Sequence, residues 1–271
     1  MSIKQQNLRR LFRKEGLKVG HALFEFNTPG IGQILNVSGV DFVFLDMEHS
    51  GFGMMETKQL IAYLRAGDLP VLVRPPSKSY HHIARVLDVG ADGVMLPMVA
   101  NASEARQALA HLRYPPQGHR GVAIGIAHDG YAPAAPSQTL AAANRRIAMA
   151  ALIETAEGVD DIDNIAATPG VDCLWLGHFD LSASLGVTGQ FEHPAFVAAE
   201  RKIRQAATRH SKALGFLVTD ADQGAKSYAR GYDVICYQLD VGAYRDAMTQ
   251  GITQLRFACA KRKPRSKVSK L

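Results

Sequence analysis

Eight short apolar runs alternate with longer amphipathic segments along this chain, and few folds accept that rhythm. The runs are HALFEF (21–26), DFVFLDM (41–47), PVLVRP (70–75), DGVMLP (92–97), AMAALIE (148–154), DCLWLG (172–177), LGFLV (214–218) and YDVICYQL (232–239). Between them, residues 57–67, 80–90, 102–113, 158–170, 194–210, 221–231 and 241–258 place apolar side chains three and four positions apart, the period of a helix with one buried face. Runs without polar alternation predict strands buried on both faces, as in a parallel sheet covered by helices. Several helical segments end in Gly before a short loop and the next strand. Eight such units in 271 residues predict one (β/α)8 TIM barrel over residues 1–258. An open doubly wound sheet is the competing arrangement. No G-x-G-x-x-G follows the first strand, which removes the commonest nucleotide-binding version of that sheet.

Charge and composition narrow the partners. The formal charge is +6, but residues 261–271 (KRKPRSKVSKL) hold six basic side chains and no acidic one. Residues 259–271 therefore read as a basic, disordered tail on a nearly neutral body. No basic stripe with interleaved aromatics occurs, so no nucleic acid is expected. No apolar run approaches the ~20 residues that cross a bilayer, so no membrane partner is expected either. The first 16 residues are basic without an apolar h-region, unlike a secretory signal. Cys173, Cys236 and Cys259 lack metal-ligand spacing and read as reduced thiols of a cytoplasmic protein. The terminal Ser269-Lys270-Leu271 matches a peroxisomal address, the alternative location in a eukaryote.

Residues 114–147, rich in Gly, Pro and Ala, break the alternation. A loop this long inside a barrel is usually functional, so it is expected to wall the ligand pocket.

In a barrel, polar residues at the C-terminal ends of strands read as catalytic. Asp46, Glu48 and His49 follow FVFL, and a histidine there suits a general base near neutral pH if a carboxylate orients it. Arg74 follows PVLV ahead of two prolines, and its guanidinium suits a carboxylate or enolate oxygen. Glu154 follows AMAALI, with Thr155 as a helix cap, and His178, Phe179 and Asp180 follow LWLG. Asp180 also reads as N-cap of a helix over 181–185. Two carboxylates at neighbouring strand ends suit one hard divalent cation, completed by water and substrate oxygens. A 2-keto acid gripping that cation would have its carbonyl polarised and its enolate stabilised. A Schiff-base lysine is the other route to an enolate. Lys58, Lys78, Lys212 and Lys226 all fall in helices or loops, which favours the metal.

These residues resemble the HpcH/HpaI aldolases, the class II pyruvate aldolases that include 4-hydroxy-2-oxoheptanedioate and 2-dehydro-3-deoxyglucarate aldolases. The matching segments are FVFLDMEHS (42–50), PVLVRPP (70–76), LDVGADGVMLPMVANASEA (87–105), YPPQGHRG (114–121), LIETAEGVDDIDNIAATPGVD (152–172) and WLGHFDLSASLG (175–186). The resemblance implies His49 as acid/base, Asp88 as the aspartate that raises its basicity, and Arg74 as the enolate-stabilising residue. It implies Glu154 and Asp180 as ligands of Mg2+, Mn2+ or Co2+. It also implies substrate contacts at Leu152, Gly177, His178 and Phe179, the last through a backbone amide. It implies a homo-oligomer, a hexamer built as a trimer of dimers that exchange a C-terminal helix.

Three departures from the family pattern stand out. Leu152 occupies a position where many members carry Gln, GHFDL replaces GPADL or GPSDL, and GIAHDGYAP replaces an Arg-rich stretch. They leave the metal–enolate residues whole and the aldehyde open. The expected activity is cleavage or formation of 4-hydroxy-2-keto acids from a small 2-keto acid and an aldehyde. The alternatives are a decarboxylating addition of the macrophomate-synthase kind and a barrel that binds a keto acid without catalysis.

Overall fold

The computed structural model describes residues 7–132 and 134–260. Eight parallel strands close into a barrel in the order of the chain, β1 to β8. They are β1 Lys18–Leu23, β2 Phe42–Asp46, β3 Val71–Arg74, β4 Gly93–Leu96, β5 Ala148–Ile153, β6 Cys173–Leu176, β7 Ala213–Val218 and β8 Val234–Leu239. The expected barrel is therefore observed and the open sheet is not. Each predicted run overlaps its strand; six contain it, the run at β7 starts one residue late, and the run at β1 is shifted by three residues.

Side-chain alternation sorts the strands into two cores. Phe42, Phe44, Leu72, Met95, Leu152, Cys173, Trp175 and Cys236 point into the barrel. Val43, Leu45, Val71, Val73, Val94, Ile153 and Leu174 point outward against the helices. Aromatic rings fit inside only because facing positions are small. A Cβ on Gly215 would lie 2.1 Å from Trp175 Cε3, and one on Gly20 would lie 2.3 Å from Phe42 Cζ. At the N-terminal end, Leu8 and Phe12 of α1 (Leu8–Phe12) join this inner core and plug the barrel.

The outer helices are α2 (Ile31–Val37), α3 (Met54–Ala66), α4 (Tyr80–Asp88), α5 (Ala102–Leu112), α6 (Pro136–Arg146), α7 (Ala156–Asp160), α8 (Ile162–Ala167), α9 (His178–Ser184), α10 (Pro194–Arg209), α11 (Ala221–Ala229) and α12 (Asp240–Ala260). The single helix expected over 158–170 is split into α7 and α8 at Asp161. Helix α12 packs on the barrel near its start, then leaves it. Residues 244–260 are all exposed. Cys259, assigned to the tail by sequence, belongs to this helix, while residues 261–271, including Ser269-Lys270-Leu271, lie outside the described residues.

The expectation for residues 114–147 is overturned. This segment follows helix α5 and precedes strand β5, so the chain direction places it at the N-terminal end of the barrel, away from the strand ends that build the ligand site. It contains a 3-10 turn over Ala127–Asp129 and the helix α6, which starts at Pro136 with proline in its preferred first turn.

Candidate active site

One cavity of about 560 Å3 opens at the C-terminal ends of the strands. His49, Arg74, Glu154, Gly177, His178, Phe179, Asp180 and Leu152 all line it. Residues from four separated stretches of chain thus meet at one place, as the strand-end argument requires.

The turn after β2 is organised by one carboxylate. Asp46 is fully buried, and its Oδ1 and Oδ2 accept from the backbone N–H groups of Glu48 (3.2 Å) and His49 (2.9 Å). Its Oδ1 also accepts from Arg74 Nε at 2.5 Å. Arg74 Nη1 lies 3.1 Å from Glu48 Oε2, an oxygen that is buried and has no hydrogen-bond partner among the described residues. The His49 ring is mostly exposed, with Nε2 3.9 Å from the same Glu48 oxygen.

Glu154 stands just past β5 and is 2% exposed. Its Oε1 accepts from the Met98 N–H at 2.6 Å. Met98 holds a left-handed backbone, φ 52°, a strained conformation for a side chain of its size that aims this N–H inward. Gly177 lies against the other side, where a Cβ would fall 2.7 Å from Glu154 Oε2. Thr155 caps α7 as expected, accepting from Gly158 N at 3.0 Å. Asp180 is not a cap. Helix α9 starts earlier, with Gly177 as N-cap, and Asp180 sits in its first turn.

Burial raises the Glu154 pKa to about 7, with the charges of Asp180 and Glu48 adding to the rise and the Met98 N–H opposing it. Burial likewise raises Glu48, against the pull of Arg74 and His49. Burial lowers His178 to about 4, so its ring is neutral at physiological pH. It packs among Phe179, Phe191 and Phe216 with ring centroids 4.5, 5.1 and 5.0 Å away.

This donor set fits a divalent cation. Three carboxylates repel one another across a site whose nearest cation, Arg74, is already tied to Asp46. A second positive charge would relieve that repulsion. Among the described residues no group of three or more His, Cys, Asp or Glu could hold a metal by itself. Glu154 and Asp180 would then be the two protein ligands, with the rest supplied by substrate and water.

Asp88 is the implied residue that the fold does not bring here. It ends α4, and that helix runs back from the strand ends, so Asp88 lies at the opposite end of the barrel, where it accepts from Arg120 Nη2 at 2.6 Å. Within one chain, the carboxylate beside His49 is Glu48. Sequence reasoning also passed over the Met98 amide and the apolar wall of Phe24, Phe44, Trp175, Phe191 and Leu217. The alternation of inward residues marks Phe44 and Trp175; nothing in the sequence marks the Met98 backbone.

With this geometry in place, comparison with known proteins is decisive. The family description HpcH/HpaI aldolase/citrate lyase matches residues 24–247. The chain belongs to this family. It is 34% identical over 222 residues to the 5-keto-4-deoxy-D-glucarate aldolase of Shigella boydii serotype 18, covering 82% of this chain and 85% of that one. It is 33% identical over 232 residues to the hydroxypyruvate/pyruvate aldolase of Chromohalobacter salexigens, covering 85% and 91%. Among solved structures it resembles an HpcH/HpaI aldolase from Desulfitobacterium hafniense, with TM-score 0.83, 33% identity and 89% and 93% of the two chains covered.

Proposed function

We propose that this family member is a divalent-metal-dependent aldolase, a carbon–carbon lyase that cleaves or forms 4-hydroxy-2-keto acids through the enolate of pyruvate or hydroxypyruvate. The observation that carries this reading is the convergence of His49, Arg74, Glu154 and Asp180 on one cavity. Two aldolase relatives above 30% identity support it.

Glu154 and Asp180 would hold the cation, Mg2+, Mn2+ or Co2+, which when bound supplies Lewis acidity to the keto acid. In the cleavage direction His49 takes the proton of the 4-hydroxyl oxygen, the C3–C4 bond breaks and the aldehyde leaves. The electron pair remains as the enolate, and the Arg74 guanidinium meets its oxygen. Because Asp46 already fixes Arg74, that positive charge needs no reorganisation as the oxyanion develops. A proton returned to C3 completes the 2-keto acid. Glu48 is the carboxylate beside His49, with Oε2 3.9 Å from Nε2. The backbone amides at Gly177–Phe179 and the Leu152 side chain border the keto acid.

The same reading extends to assembly. Helix α12 presents Met248, Ile252 and Leu255 on one exposed face beyond the barrel. That face supports a homo-oligomer in which the helix packs on a second copy, as in a hexamer of exchanged dimers. No helix among the described residues is long and apolar enough to cross a membrane. The buried free thiols of Cys173 and Cys236 fit the cytoplasm.

The test is pyruvate release from a panel of 4-hydroxy-2-keto acids, with and without EDTA. Release that chelation abolishes and Mg2+ or Mn2+ restores is expected. Turnover surviving full chelation rejects the metal, and carbon dioxide release in step with substrate loss redirects the reading to decarboxylating addition.

A further inference from the structure

The cavity has two unlike halves. His49, Arg74, Glu154 and Asp180 stand on the β2, β3, β5 and β6 side. The opposite side, after β7, β8 and β1, is lined by Phe24, Leu217, Thr219, Gln238, Leu239 and Val241, with Arg245, 73% exposed and paired with Asp246, its one charged residue among those described. Phe191 and the exposed Phe179, 5.3 Å apart between ring centroids, border its rim.

Among the described residues, no cation of the cavity stands without a carboxylate beside it. The cavity's arginines are Arg74, bonded to Asp46 and paired with Glu48, and Arg245, whose Nε and Nη2 lie 2.9 and 2.8 Å from Asp246 Oδ1. No lysine lines it. Gln223 Oε1 accepts from the Thr219 N–H and Gln238 Nε2 donates to the Thr219 carbonyl, so that oxygen and that NH2 group already hold partners. A second carboxylate on the acceptor would enter this half unpaired, within reach of the field of Glu48 and Asp180, and would lose its water without compensation.

Resting on the aldolase reading above, we infer that the aldehyde acceptor is an uncharged aldehyde with an alkyl or aryl substituent, seated against Phe24, Leu217 and Leu239. In the forward direction the bond forms between C3 of the keto-acid enolate and the aldehyde carbon. The aldehyde oxygen takes a proton from His49, and no oxidant or reductant is needed.

The experiment uses the full chain with Mn2+ and separates the two ideas. Solvent deuterium exchange into the pyruvate methyl group reports enolate formation without any acceptor, and its absence overturns the aldolase reading itself. With exchange established, kcat/KM for addition is compared between butanal and benzaldehyde on one side and 4-oxobutanoate and glyoxylate on the other. A preference of roughly tenfold or more for the uncharged pair is expected. Equal or better use of the carboxylated aldehydes overturns the inference while leaving the aldolase reading standing. Thr219→Arg places a cation in the neutral half at an exposed position. It is expected to retain methyl exchange and to shift the preference toward 4-oxobutanoate by about tenfold. Retained exchange with an unmoved preference overturns the placement of the acceptor. Should that variant not fold, the panel on the unaltered chain decides.

Discussion

Asp46 and Arg74 are direct cross-strand partners in the β2–β3 register, and their side chains are joined by a 2.5 Å bond from Nε to Oδ1. Both are buried, and Asp46 also accepts from the backbone N–H groups of Glu48 and His49. One carboxylate thus sets the guanidinium and the histidine loop together. Asp46→Ala leaves Arg74 buried beside Glu48 alone and frees the turn. Breaking a buried pair in this way costs about 3–5 kcal/mol. The urea midpoint is expected to fall with an unchanged slope, and activity to fall well beyond the unfolded fraction. A variant as stable as the parent would show that the bond contributes nothing net.

Arg74 itself is expected to act on the developing enolate more than on bound substrate. Arg74→Ala then lowers kcat more than it raises KM, by roughly 100-fold in kcat. Arg74→Lys is not expected to restore it, because an ammonium cannot keep the Nε bond to Asp46 while presenting a second edge to the ligand. A pure KM effect in steady-state kinetics would limit Arg74 to ground-state binding.

The barrel was legible because its signal is repeated eight times and depends only on burial. Helices α1, α2 and α6 were missed. The first two are five and seven residues long, too short to show a period, and α6 hides in an alanine-rich stretch whose buried residues, Ala143, Asn144 and Arg146, include no large apolar side chain. The site was legible as a set of residue types at strand ends, and six of those residues, His49, Arg74, Glu154, His178, Phe179 and Asp180, do line one cavity. The role of Asp88 came from resemblance alone, and its place near the end of the helical segment 80–90, just before a strand, already assigns it to the opposite end of the barrel. Residues 114–147 were misplaced because loop length was weighed without chain direction: a segment that leaves a helix and enters a strand belongs to the other face. Met98 acts through a backbone N–H, and a side-chain reading has no access to that.

Glu154 and its glycine neighbour give a prediction about metal affinity. Glu154→Gln keeps the shape and removes the charge. Isothermal titration with Mn2+ is expected to show at least about tenfold weaker binding, with the far-UV circular dichroism unchanged. Gly177→Ala reaches the same end by crowding, since its Cβ would lie 2.7 Å from Glu154 Oε2 and 2.8 Å from Glu154 Cβ. Weaker Mn2+ binding is expected there as well. Parent-like affinity in both variants would remove Glu154 from the metal site.

Helix α12 carries the last prediction. Met248, Ile252 and Leu255 are 46%, 40% and 65% exposed and recur at spacings of four and three, one face of a helix that projects past the barrel. Apolar area of this kind is stabilised by about 25 cal/mol per Å2 when covered, and an isolated projecting helix has no packing of its own to hold it. A second copy supplies the same face by symmetry, so each charge introduced there enters the interface twice. Ile252→Glu combined with Leu255→Glu is therefore expected to lower the mass measured by sedimentation velocity from an oligomer to a smaller species. The barrel's near-UV circular dichroism should be retained, because residues 244–260 are exposed and lie outside its core. An unaltered chain that sediments as a monomer, or a doubly charged variant that keeps the parent's mass, would show that this face is not where copies meet.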